Sequence, residues 1–178
     1  RTPSIPGHEL AGVVSALGYG TRGLSVGQRV FGLTDWTRDG TLAEYVAVEA
    51  RNLAPLPGDV DFTVGASLPI SGLTAWQGLF EHGRLQAGQS VLAHCAAGAV
   101  GSMATQLARE AGAHVIATGR AAHRQTALDF GAREFVDPYA FAPSITAFDL
   151  HLFNAGRLLE AYRTLGAVPM EREGTAGV

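Results

Sequence analysis

Apolar and polar positions follow one pattern up to about residue 60 and another beyond it. In the first stretch, short apolar runs are separated by glycine-rich turns. Leu10–Ala16, Gln28–Leu33 and Leu42–Val48 read as strands, Gly18–Gly23 as a turn cluster, and Leu53–Pro57 as a short run broken by prolines. Later, apolar residues recur at helical spacing. Asp61–Leu68 and Leu73–His82 read as helices separated by Pro69–Gly72. Strands and helices then alternate. Ser90–His94 reads as a strand, followed by a helix ending at Gly112 and a strand at His114–Thr118. A helix over Ala121–Phe130 stops at Gly131, and short strands follow at Glu134–Val136 and Phe148–Phe153. Arg157–Leu165 reads as a helix and Ala167–Met170 as a last strand, before a polar tail. The pattern predicts an α/β chain: a partial β-barrel over residues 1–60, then a doubly wound parallel sheet over residues 61–178.

The strongest chemical signal is the turn between Ser90–His94 and the next helix. It reads A-x-G-x-x-G, with Ala96, Gly98 and Gly101 at the defined positions. A strand that turns tightly into a helix aims free amides and the positive end of the helix dipole at one point, where an anion can sit. Gly98 would let a pyrophosphate approach the backbone, and Gly101 would let helix and strand pack closely. The candidate cradle is Ala97, Gly98, Ala99, Val100 and Gly101. The alternative is an ordinary strand–helix turn. The end of the second strand bears on which dinucleotide fits. An NAD site carries an acid there to bind the ribose 2′-hydroxyl. This chain instead reads Gly119-Arg120, with Arg124 close behind. Guanidinium groups grip a 2′-phosphate, so the expected cofactor is NADP(H); the alternative makes both arginines solvated helix-start residues.

Composition narrows the classes. The 178 residues are 47% hydrophobic and 16% charged, enough for a core. A net charge of −3 without a basic cluster argues against a nucleic-acid partner. No run has the length of a membrane span and the first residues are no signal peptide, so the expected setting is cytoplasmic, with no membrane partner. The single cysteine, Cys95, excludes an intramolecular disulfide and a multi-cysteine zinc site. It is expected to be a small buried filler.

Several ordered segments carry a family resemblance: Pro6–Val14, Val26–Val30, Gly40–Tyr45, Ser71–Trp76 and Ala96–Gly101. The chain resembles the medium-chain dehydrogenase/reductases, and within them the zinc-independent, zeta-crystallin-like quinone oxidoreductases. The resemblance implies a partial GroES-like β-barrel followed by a partial Rossmann domain. It implies hydride transfer from NADPH to a small-molecule substrate, a quinone or an α,β-unsaturated carbonyl, and a homodimer. It also implies that the chain lacks the start of the catalytic domain and the last part of the Rossmann domain. Thr74 matches the position beside the nicotinamide; read locally, it is a helix N-terminal threonine. Asn154 follows the fourth Rossmann strand, at the sheet edge where ligands bind.

Zinc-dependent relatives place a ligand histidine and its neighbouring glutamate at His8-Glu9, and a ligand cysteine at the position of Ile70. Isoleucine cannot coordinate, so no metal site is expected. No general acid, base or nucleophile stands out, which suits a reaction whose chemistry the cofactor carries. The leading reading is an NADPH-dependent, zinc-independent oxidoreductase. The alternatives are a non-catalytic NADPH-binding protein or inactive fragment and, more distantly, a zinc alcohol dehydrogenase. Metal analysis of the purified chain is expected to show no stoichiometric zinc; one zinc per chain would restore the last alternative.

Overall fold

The computed structural model describes residues 4–138. The chain forms two compact units, Arg1–Gly83 and Arg84–Val178.

The first unit holds a three-stranded antiparallel sheet: β1 (Glu9–Val13), β2 (Arg29–Leu33) and β3 (Leu53–Pro55), in that order. The register pairs Ala11 with Phe31 and Phe31 with Ala54. Beyond β1 the pairing runs on to a turn, where Val14 donates to the Gln28 carbonyl and Gly27 donates back to Val14. Gly27 has φ +87°, a conformation glycine adopts without penalty. The expected strand Leu42–Val48 is absent. Residues 46–48 run without a ladder partner, because a short apolar run becomes a strand only where a neighbouring edge accepts it.

Two helices pack with this sheet. Helix α1 (Phe62–Ser67) starts at Asp61, whose carboxylate accepts from the Thr63 amide at 2.8 Å. Gly65 brings α1 against the sheet: a Cβ there would stand 2.8 Å from Leu56 and 3.2 Å from Ala11. Helix α2 (Pro69–Trp76) continues into a π-helical turn, Gln77–His82. The expected break at Pro69–Gly72 is instead the first turn of α2, where proline is tolerated because its missing amide would have no partner. Glu9 of β1 accepts the Ile70 amide at 2.7 Å. These contacts group residues 61–82 with the first unit, whereas the sequence pattern places its boundary at residues 60 and 61.

The second unit holds the parallel strands β4 (Ser90–Ala93), β5 (His114–Thr118) and β6 (Glu134–Val136), adjacent in that order. Helix α3 (Ala99–Glu110) connects β4 to β5, and α4 (Arg124–Asp129), preceded by a 3₁₀ turn at Ala121–His123, connects β5 to β6. The core is made of small side chains: Ala93, Ala96, Ala108, Val115, Ala117 and Ala127 are buried. Buried Thr105 satisfies its hydroxyl on the Gly101 carbonyl at 2.8 Å. The α/β architecture thus combines a GroES-like antiparallel sheet with a Rossmann-like parallel one. The later expectations, Phe148–Phe153, Arg157–Leu165 and Ala167–Met170, lie outside the described residues. Among the described residues no helix is long and apolar enough to cross a membrane.

Asp61 generates a pH prediction. Hydrogen bonds from the Thr63 side chain and amide hold its carboxyl below the ordinary aspartate range. Its contribution is therefore complete above the unfolded-state value, about pH 4, and is lost as pH falls through the lower folded-state value. The melting-temperature difference between the parent and Asp61→Ala is expected to be widest at neutral pH and to shrink in acid. A difference independent of pH down to pH 2 would contradict the cap.

Candidate functional site

In an open parallel sheet, ligands bind beyond the carboxyl ends of the strands. Here that edge is built by the turn after β4 and the loop after β5. The β4–β5 ladder ends at Ala93 opposite Ala117. Past it, the Ala96 amide donates to the Thr118 carbonyl at 3.0 Å, and His94 Nδ1 is hydrogen-bonded to Thr118 Oγ1 at 2.6 Å. The turn and the start of the Gly119-Arg120 loop are thus brought together.

The turn's conformation differs from expectation at one residue. Cys95 is exposed and has φ +49°, so it is no buried filler. The chain reverses at Cys95 rather than at Ala96, whose φ stays negative and whose side chain is fully buried. A larger residue at 96 would have no room. Gly98 precedes α3, donating to the Cys95 carbonyl at 2.7 Å and accepting from Ser102 at 2.8 Å. Gly101 is required by contact. A Cβ there would lie 2.2 Å from the Cys95 carbonyl oxygen and 2.8 Å from that of His94. No side chain caps α3. The amides of Ala99, Val100 and Gly101 have no carbonyl to meet one turn earlier in the helix, and they point along its axis. Such a set suits an anion approaching at the helix end.

The two arginines behave differently. Arg120 is exposed, and its carbonyl accepts the His123 amide at 2.8 Å, which starts the 3₁₀ turn. Arg124 lays its guanidinium over the Phe135 ring, 5.6 Å from the centroid. Sequence reasoning missed Asp137, which follows β6 and accepts the Ala121 amide at 3.0 Å. The signal was available: parallel strands end on one edge, so the residue after β6 reaches the loop after β5.

Thr74, in the first unit, is exposed in the interior of α2, which overturns its reading as a helix N-terminal residue. Asn154 lies outside the described residues. His8 Nδ1 is hydrogen-bonded to Thr34 Oγ1 at 2.9 Å, and its ring packs on Trp36 with centroids 4.4 Å apart. At the position of the relatives' ligand cysteine, Ile70 uses its amide to hold Glu9. Among the described residues no group of three or more His, Cys, Asp or Glu side chains could hold a metal ion.

Residues 1–58 match the Alcohol dehydrogenase GroES-like domain. The quinone oxidoreductase of Rattus norvegicus is 38% identical over 133 residues, covering 74% of this chain and 40% of that protein. The chain is similar in sequence and fold to members of the medium-chain dehydrogenase/reductase superfamily. Superfamily relatives also include the spectinabilin polyketide synthase system protein NorB of Streptomyces orinoci, 42% identical over 128 residues, 72% of this chain and 6% of that protein. A mycobacterial protein solved in complex with NADPH superposes with a TM-score of 0.70 at 36% identity, covering 77% of this chain and 41% of that one. The chain therefore spans well under half the length of the relatives it matches.

The Gly101 contact yields a test. Gly101→Ala is expected to destabilise the second unit by about 1–3 kcal/mol, as overpacking against backbone does. Gly78→Ala, where an added Cβ meets nothing within 4 Å, serves as the control. Unchanged thermal stability of Gly101→Ala would refute the close contact.

Proposed function

We propose that this chain carries the NADPH-binding part of a zinc-independent reductase that acts on a quinone or an α,β-unsaturated carbonyl. The carrying observation is the uncapped start of α3, held against the Cys95 and His94 carbonyls by a residue that must be glycine. Ala97, Gly98, Ala99, Val100 and Gly101 would receive the pyrophosphate, because their backbone offers donors without side-chain obstruction. Gly119, Arg120 and Arg124 would surround the 2′-phosphate. Arg120, exposed in the loop directly after β5, is the principal ligand in this reading. Thr74 completes the set at the nicotinamide end on the family resemblance alone, and Asn154 joins it as the residue after the fourth Rossmann strand. Homodimerisation belongs to the same reading and rests on the same resemblance; a cytoplasmic setting belongs to it on composition.

Bound NADPH would supply a hydride; the acceptor gains that hydride and a proton, and NADP⁺ is released. The chain's residues fix the cofactor's phosphates and thereby its reactive end. The NADPH-bound neighbour supports the cofactor, and the quinone oxidoreductase relative supports the acceptor class. The polyketide synthase relative favours the conjugated alkene over the quinone, because reductive steps on a growing carbon chain meet carbonyls and conjugated double bonds.

Fluorescence titration is expected to show tighter binding of NADPH than of NADH. Arg120→Ala should weaken NADPH by about 10–100-fold, the worth of a charge-assisted hydrogen bond, and leave NADH unchanged. Equal affinities in the parent chain would overturn the NADPH assignment. Turnover with 1,4-benzoquinone and with an enone then separates the two acceptors, and binding without turnover on either would favour a non-catalytic NADPH-binding role.

A further inference from the structure

We propose that His94 is a positioning residue of the dinucleotide site, a side-chain strut that sets where the α3 amides point. The inference rests on the cofactor reading above and adds a residue to it. His94 directly follows β4, beyond the last ladder pair, Ala93 with Ala117. There the strand ends would be free to splay. Two links close the gap: the Ala96 amide to the Thr118 carbonyl, and His94 Nδ1 to the Thr118 hydroxyl at 2.6 Å. Thr118 is only 1% exposed, so its hydroxyl sits at a fixed point of the sheet.

The strut bears on the site through the backbone. The His94 and Cys95 carbonyls are the surfaces against which Gly101 rests. Between the strut and the Ala96 link lies Cys95 at φ +49°, a conformation that costs energy for a residue with a Cβ and persists where its flanks are held. Releasing His94 frees one flank and lets the carbonyls under α3 move. At its other end, the strut grips the residue immediately before Gly119-Arg120. An alkyl side chain at position 94 could fill the space but could not bond Thr118. The chemistry of the imidazole, rather than its bulk, is what the position uses.

The prediction distinguishes this role from that of Arg120. The α3 amides would serve a pyrophosphate, which NADH and NADPH share. His94→Leu is therefore expected to weaken both dinucleotides alike, by about tenfold, the worth of one hydrogen bond. Thr118→Val should do the same, and His94→Leu/Thr118→Val should be no worse than either alone, because one bond is lost once. His94→Asn, whose amide can stand near Nδ1, should restore affinity to within about twofold of the parent. If His94→Leu fails to fold, Thr118→Val and His94→Asn carry the test. Parent-like affinity in Thr118→Val, or loss in His94→Asn equal to that in His94→Leu, would overturn the strut. A parent chain that binds neither dinucleotide would overturn the cofactor reading and this inference with it. A parent that binds NADPH tightly beside unaffected variants would overturn this inference alone.

Discussion

The second unit depends on how closely α3 can approach the end of β4. Gly101 has no side chain, so its Cα can rest against the carbonyls of His94 and Cys95. That contact fixes the start of the helix. It also forces the reversal at Cys95 and leaves three amides facing outward. A methyl group at this point would push the helix off the strand. The anion-binding character of the edge is thus a by-product of a packing limit, and no charged side chain is needed to create it.

The small side chains of the core serve the same end. Alanines at 93, 96, 108, 117 and 127 keep helix and sheet close, with Val115 as the bulk between them. Such a core buries little apolar area per residue, and polar groups must be satisfied within it. Thr105 does so on the Gly101 carbonyl, and Thr118 on His94. The first unit solves its packing differently. Its helices are moored by carboxylates, Asp61 at α1 and Glu9 at α2, and Arg29 ties the intervening loop to β2 through the Gly58 carbonyl and the Phe62 ring.

Most of the described part of the second unit was legible in the residues. His114–Thr118 and Glu134–Val136 are short apolar runs between glycine or charge, and they form strands with those same bounds. Gly98 and Gly101 were legible because the turn they permit has a fixed spacing. What failed shares a cause: the deciding partner is remote in sequence. Leu42–Val48 is a short apolar run like those of strands but meets no edge. Pro69 looks like a break until the helix that follows is seen. Cys95 reads as filler because its positive φ is imposed by the helix, not by its own chemistry.

The contact between Glu9 and Ile70 has a consequence for how this scaffold can vary. Glu9 holds α2 through the main-chain amide of residue 70, not through its side chain. Any residue except proline presents that amide. The anchor and the side chain at position 70 are therefore separable: the mooring persists whatever projects from the Cα. A thiol that ligates a metal and an alkyl group that cannot are interchangeable there without loosening the helix. A lineage could lose or gain one metal ligand at this position by a single exchange, with its framework left standing.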